Sequence, residues 1–148
     1  MTPLIGQWAD TLWQNEQLHL LKLLVWAAIS VAGGTGVVAV LRVRRLDSPL
    51  LLHFGVQTAA WGAVDLAIAL WARGGVGLRD LTATVALDRF VWLNIGLDVG
   101  YIAIGTTLAL CGWTLGRRLG LVGAGLGIVV QGLALTLLDL QLSTAIVR

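Results

Sequence analysis

The stretch that decides the fold is Leu119–Leu142, LGLVGAGLGIVVQGLALTLLDLQL, in which Asp139 is the only charged residue. A hydrocarbon core of about 30 Å requires roughly 20 apolar residues in a helix, so this stretch is long enough to cross a membrane. Three further segments meet the same criterion: Leu18–Leu41, Pro49–Trp71 and Phe90–Trp113. We therefore predict an all-α, polytopic membrane protein with four transmembrane helices.

The composition of the whole chain supports this class. Of its 148 residues, 57% are hydrophobic and 12% are charged, and the mean hydropathy is +0.87. Soluble domains carry about 25% charged residues, so about half of the usual water-facing residues are missing. The net charge of +2 is too small for a nucleic-acid surface. These values exclude a water-soluble globule, a disordered chain and a nucleic-acid partner.

Residues 1–16 precede the first span and have an amphipathic pattern of their own. Trp8, Leu12 and Trp13 fall on one side of a helical wheel, and polar residues fall on the other. Such a segment lies in the membrane interface with aromatic side chains as anchors. We predict an amphipathic interfacial helix over 1–16 and a four-helix transmembrane domain over 17–148. A frayed polar tail is the alternative for the first segment.

Residues at the span ends bear on orientation. Trp71 and Trp113 end the second and third spans, as interface anchors do. Basic residues are equally numerous on the two sides, but on one side they form tight clusters after the odd-numbered spans. The positive-inside rule makes the clustered side cytoplasmic, which places both termini outside. The clustered residues are Arg42, Arg44, Arg45, Arg117 and Arg118.

Polar residues within the spans form the candidate site. Asn94, Asp98 and Tyr101 follow at spacings of four and three, so they share one face of the third span. Ionisable groups at this depth cost about 2.5–3.5 kcal/mol each, so each is expected to serve function or packing. Three aspartates lie in the half of their spans nearest the loop from 72 to 89. The complete set is Asp65, Asn94, Asp98, Tyr101, Gln131 and Asp139.

Two interpretations of this polar set stay open. Interhelical hydrogen bonds that fix the packing of the bundle are the simpler one. The alternative is a cluster that carries protons or binds a cation. In either case the carboxyl groups pair with Arg73 and Arg89 at the rim, or some are protonated and donate hydrogen bonds.

Glycines at a spacing of four predict close helix packing, because small residues let helices approach each other in lipid. The pairs are Gly96 and Gly100, Gly116 and Gly120, and Gly123 and Gly127.

Motifs for chemistry are absent from the sequence. It has no phosphate loop, zinc-ligand spacing or Ser/His/Asp order, and its one cysteine, Cys111, forms neither an internal disulfide nor a thiolate metal site. His19 and His53 begin successive spans on opposite sides, about 30 Å apart at 1.5 Å per residue, so they cannot clamp one haem. We predict no enzymatic activity, no metal and no cofactor. Lipid or pigment bound at partner interfaces stays open.

The second and fourth spans share an internal sequence similarity, which we call the echo. An Arg-Arg-Leu run precedes each span, and a glutamine in each is followed eight residues later by an aspartate. Two helical hairpins in the same orientation would produce this echo. Chance similarity in an apolar background is the alternative.

The string Asn94–Tyr101, NIGLDVGY, together with Gln131-Gly132 and Asp139, resembles an uncharacterised family of small bacterial four-helix membrane proteins. The resemblance covers the last three spans well and the first poorly. Asp65 stands where an asparagine is expected in that family. The resemblance implies the four-helix fold and a bacterial membrane, and it implies no activity. We expect a multi-pass protein of the bacterial inner membrane.

Two functions follow as expectations. The first is a non-enzymatic accessory subunit that braces a larger membrane complex, of an energy-transducing kind, photosynthetic or respiratory, with lipid and other membrane subunits as partners. The second is a small oligomeric transporter or channel that moves protons or cations at the carboxyl groups.

Overall fold

The structure, a computed structural model, describes residues 3–146 and the side chains of residues 7–146. It contains four helices, and no strand is found in that part of the chain. Each helix is long and apolar enough to cross a membrane, and the predicted all-α class with four long helices is confirmed. The helices are α1 (Pro3–Val43), α2 (Pro49–Arg73), α3 (Leu81–Thr114) and α4 (Leu119–Ile146).

The helices alternate in direction, so the bundle has two distinct ends. We call the end that holds residue 3, the 74–80 loop and residue 146 the terminal end. The other end holds the short connections 44–48 and 115–118, and we call it the turn end. The arginine clusters of the sequence lie at the turn end.

The packing divides the bundle into two hairpins. Helix α1 packs along α2, and α3 packs along α4. Helix α4 also packs against α2 and, less extensively, against α1, so it contacts all three other helices. The backbone of α3 comes close to α4 alone. Two hairpins in the same orientation are the arrangement that the echo between the second and fourth spans suggests.

Local signals explain where the helices begin and how the turns close. The hydroxyl of Ser48 accepts a hydrogen bond from the Leu51 amide at 3.4 Å, and Pro49 follows at the first helical position. The Asp80 carboxylate caps α3 by accepting from the Ala83 amide at 2.7 Å. At the turn end Gly116 has φ +88°, a conformation that glycine adopts without strain.

Two helices extend further than predicted at the terminal end. Residues 3–16 form the first turns of a continuous, 41-residue α1 rather than a separate helix, and α3 begins at Leu81 rather than Phe90. Apolar side chains of both extensions reach a hydrophobic cluster at this end: Leu12 of α1 is buried in it, and Leu87 of α3 packs against it. We call it the terminal apolar cluster: Leu12, Val91, Ile95, Leu142 and Ile146, with Trp8 and Leu87 packed against it. The first two residues of the predicted segment and the side chains before Gln7 lie outside the described part.

Close glycine contacts hold the helices together, only partly at the predicted positions. Gly120, Gly123 and Gly127 do lie at the contact of α4 with α2, where a Cβ at Gly123 would clash with the Leu50 carbonyl. A Cβ at Gly96 or Gly100 would meet nothing within 4 Å, so these two do not pack within the chain. Gly116 lies in a turn. These three glycines therefore make no close helix contact within the described chain, and their role in packing against another chain stays a prediction.

Other glycines form the hairpin contacts that the spacing argument missed. A Cβ at Gly34 would lie 2.5 Å from the Ala59 nitrogen, and one at Gly105 would lie 2.7 Å from the Gly125 oxygen. These positions are the close approaches within the first and second hairpins. The spacing rule did not identify these contacts because each one joins a glycine to a small residue on the facing helix, and not two glycines four residues apart on one helix.

Candidate functional site

Three aspartates from three helices converge between the terminal end and the middle of the bundle. Asp65 of α2 is 3% exposed and Asp98 of α3 is 4% exposed, while Asp139 of α4 is partly buried. The charges of Asp139 and Asp65 lie within electrostatic range of Asp98. We call these three residues the carboxyl cluster. The role of these residues, in packing or in carrying protons or a cation, stays a prediction.

The carboxyl cluster is short of polar partners. One carboxylate oxygen of Asp65 and one of Asp98, the Oδ2 atom in each, are buried without a hydrogen-bond partner in the described part of the chain. Neither Arg73 nor Arg89 forms an ion pair with the cluster among the described residues. Both arginines are exposed. The carboxyl groups therefore do not pair with Arg73 and Arg89, which was one of the two options that the sequence left open.

The basic neighbour of the cluster is His19 of α1, which is not among the candidate site residues predicted from the sequence. Its Nε2 lies 3.4 Å from Oδ1 of Asp139, and both side chains are 13% exposed. The signal available in the sequence was that His19 begins its span at the same end as the three aspartates. The pairing itself depends on the rotation of α1 against α4, which spacing along one helix does not reveal.

A shallow cleft between α1 and α4 reaches His19 from the surface. Its rim is polar, because Asn15, Lys22 and Gln141 line it together with His19 and apolar neighbours. The Lys22 ammonium donates a 2.7 Å hydrogen bond to the Gln141 side-chain oxygen across this cleft. Polar side chains in the wall of the cleft therefore lie at the edge of the carboxyl cluster.

Gln131 forms a second polar region, about 12 Å along α4 from Asp139 at 1.5 Å per residue. Its side-chain oxygen accepts from the Trp26 indole at 2.7 Å, and its nitrogen donates to the Ser30 hydroxyl at 3.0 Å and to the Thr58 carbonyl at 3.4 Å. Gln131 is 2% exposed. These contacts tie α1, α2 and α4 together, and we call them the Gln131 network.

The cluster is enclosed along the bundle axis. Toward the terminal end, Ile95 lies three residues before Asp98, and Leu142 lies three residues after Asp139; both belong to the terminal apolar cluster. Toward the turn end, the rings of Trp61 and Tyr101 pack with their centroids 4.8 Å apart, and the Gln131 network follows. The openings nearest the cluster are therefore at its sides.

The remaining predicted residues have separate surroundings. Asn94 is half-buried on α3 without a side-chain hydrogen bond among the described residues. Trp71 is 84% exposed at the end of α2, and Trp113 is exposed with the Arg117 guanidinium 4.8 Å from its ring centroid. Trp13 is also exposed, whereas Trp8 packs on the terminal apolar cluster. Their role as interface anchors stays a prediction.

An ion pair near the cluster also went unpredicted. Arg79, in the loop before α3, donates a 2.6 Å hydrogen bond from Nε to Oε1 of Glu16, which is 4% exposed. It ties the 74–80 loop to α1 at the terminal end. Among the described residues, no three His, Cys, Asp or Glu side chains are grouped closely enough to hold a metal ion.

Comparison with known proteins gives a family and no activity. The sequence matches the family described as "Family of unknown function (DUF6992)" over residues 22–140. This match confirms the resemblance to an uncharacterised family. No curated protein and no solved structure matches the sequence.

Proposed function

We propose that this chain, which belongs to the family of unknown function DUF6992, is a non-enzymatic, multi-pass protein of the bacterial inner membrane that passes protons through the carboxyl cluster. The observation that carries the proposal is the pair of buried Oδ2 atoms of Asp65 and Asp98, which have no hydrogen-bond partner in the described part of the chain. A structural carboxyl group would be expected to have partners, because a buried unpaired polar group is costly.

The chemistry of the neighbours supports protons as the transported species. Each carboxyl group binds one proton, and an imidazole both accepts and donates one at physiological pH. His19 contacts Asp139, and Asp139 and Asp65 are within electrostatic range of Asp98, so the charge on one group affects its neighbours. Ionisable residues inside a membrane bundle commonly mark proton relays.

Orientation follows from the arginine clusters at the turn end. Under the positive-inside rule, the turn end faces the cytoplasm, and the carboxyl cluster lies nearer the outer face. The exposed apolar side chains around the bundle contact membrane lipid in this arrangement.

Proton flux through purified protein in liposomes tests the proposal. A potassium gradient with valinomycin sets the membrane potential, and a pH-sensitive dye inside the vesicles reports proton entry. We expect wild-type flux and a rate lower by at least about tenfold in Asp98→Asn, which keeps the shape of the side chain but holds no exchangeable carboxyl proton. Asp47→Asn, an exposed aspartate at the turn end, is the matched control and should conduct normally. Equal flux in Asp98→Asn and wild type would overturn the proposal.

A second candidate function is supported by the outer face of α3. Gly96 and Gly100 lie four residues apart with open space at each Cβ position, and Leu93 and Leu97 beside them are exposed. Small residues at this spacing suit a close helix contact with another chain. We propose on this basis an accessory subunit of a larger, energy-transducing membrane complex, photosynthetic or respiratory, because such complexes commonly include small helical subunits.

Native membranes dissolved in mild detergent test this second function. Wild-type protein should migrate with a large assembly, and Gly96→Leu should release it. Gly36→Leu places the same side chain in open space on α1 and should leave migration unchanged. Retention of Gly96→Leu in the assembly would argue against α3 as the contact face.

A further inference from the structure

The three acidic groups of the carboxyl cluster differ in their access to the surface. Asp65 and Asp98 are 3% and 4% exposed, whereas the side chain of Asp139 is 13% exposed. His19, the group in contact with Asp139, has the same 13% exposure. Access therefore increases from the interior toward the contact between α1 and α4.

Apolar side chains cover the carboxyl cluster on the side of the terminal end. The terminal apolar cluster covers the carboxyl cluster on that side with aliphatic side chains that neither donate nor accept protons. Leu12 of α1, Ile95 of α3 and Leu142 of α4 are each less than 9% exposed. A proton that enters from this end must therefore pass around this cluster.

The cleft between α1 and α4 provides such a route. His19 lies in its wall beside the polar side chains of Asn15, Lys22 and Gln141, four apolar residues complete the lining, and its volume of about 40 Å³ has room for water. His19 also begins the predicted first span, where the chain meets the membrane surface. The groups that face it are Asp139 and Leu138 of α4 and Lys22 of α1.

We propose that His19 is the proton port of the carboxyl cluster, by which we mean the residue through which protons enter and leave the cluster on the terminal side. This inference rests on the proposed function of the cluster. A hydronium ion in the cleft gives a proton to Nδ1 of His19 and becomes water, and the proton on Nε2 passes to Oδ1 of Asp139. The imidazole returns to its neutral form, and Asp139 becomes a neutral carboxylic acid. From Asp139 the proton passes to the rest of the carboxyl cluster, and when flux runs in the other direction the same steps in reverse release a proton into the cleft.

The same liposome assay, with His19→Gln, tests the port. Glutamine keeps a polar group beside Asp139 but does not shuttle protons, so the flux should fall by about tenfold or more. The matched control is His53→Gln, which changes the other histidine, exposed at the turn end with its Nδ1 2.9 Å from the Pro49 carbonyl. This control should conduct at the wild-type rate.

Chemical rescue separates a lost port from a damaged fold. In His19→Ala, free imidazole can occupy the space at the cleft and carry the proton, so adding it should restore flux. It should not restore flux in Asp98→Asn, because the internal group is missing there. The proposed port predicts that imidazole restores proton flux in His19→Ala and does not restore it in Asp98→Asn.

The outcomes distinguish the two proposals. Reduced flux in Asp98→Asn with wild-type flux in His19→Gln would overturn the port and leave the proposed function standing. Low flux in His19→Ala that imidazole does not restore would also overturn the port. No flux in the wild-type protein would overturn the proposed function and the port with it.

Discussion

The Gln131 network and the carboxyl cluster are two polar regions of one bundle, and they differ in how well their central side chains, the Gln131 amide and the Asp65 and Asp98 carboxyl groups, are paired. Both are buried, and both draw side chains from several helices. The side-chain oxygen and nitrogen of Gln131 have partners on α1 and α2. In Asp65 and Asp98 one carboxylate oxygen each is buried without a partner in the described chain.

The difference separates the two interpretations that the sequence left open for one polar set. A fully paired amide stabilises helix packing and needs no further explanation. A buried carboxyl without partners destabilises the bundle unless it binds something, and the simplest such ligand is a proton. The packing interpretation therefore suits Gln131, and the proton interpretation suits the aspartates.

The largest expected effect on stability comes from Gln131→Leu. The substitution keeps the volume similar but leaves the Trp26 indole and the Ser30 hydroxyl without their partner. We expect the free energy of unfolding to fall by about 2 kcal/mol, since each buried polar group left unpaired costs roughly 1–3 kcal/mol. Reversible unfolding in mixed micelles measures it. An unchanged free energy would mean that the network does not hold the helices together.

A smaller effect is expected from Trp26→Phe, which removes one donor from the network. Oε1 of Gln131 loses its 2.7 Å hydrogen bond, while the Gln131 nitrogen keeps its contact with Ser30. The loss should be about 1 kcal/mol, the typical net value of one hydrogen bond. The same unfolding measurement applies, with Trp92→Phe on the exposed face of α3 as the control. Equal losses in the two variants would assign the effect to ring size instead of the hydrogen bond.

The smallest effect on stability is expected from Asp98→Asn and Asp65→Asn. Neither aspartate has a side-chain hydrogen bond among the described residues, so replacing it breaks none, and the free energy of unfolding should stay within about 0.5 kcal/mol of wild type or rise. A loss as large as that of Gln131→Leu would place the aspartates with the packing residues and remove the contrast between the two regions.

The sequence predicted the architecture well, because membrane crossing depends on length and composition. The start of α2 at Pro49 and of α4 at Leu119 agree with the prediction. The extensions of α1 and α3 at the terminal end did not follow from hydropathy, since their apolar faces are buried by each other and by α4. Such mutual burial depends on tertiary packing, which a single helical wheel does not contain.

The candidate site could be predicted in part. The depth of Asp65, Asp98 and Asp139 along their spans was visible in the sequence, and so was the shared face of Asp98 and Tyr101. The contact of His19 with Asp139 and the partners of Gln131 depend on how the helices are rotated about their axes. Close glycine contacts, such as that of Gly34 with Ala59, set this rotation. The two residues in such a contact are far apart in the chain.

The most direct test of the central claim is an infrared titration of the protein in lipid, which observes the carboxyl groups themselves. Acidification should produce the C=O stretching band of a buried, protonated carboxylic acid, and the band should weaken in both Asp98→Asn and Asp65→Asn. Gln131→Leu should leave it in place. A titration without such a band, or the same band in wild type and in both aspartate variants, would contradict the account.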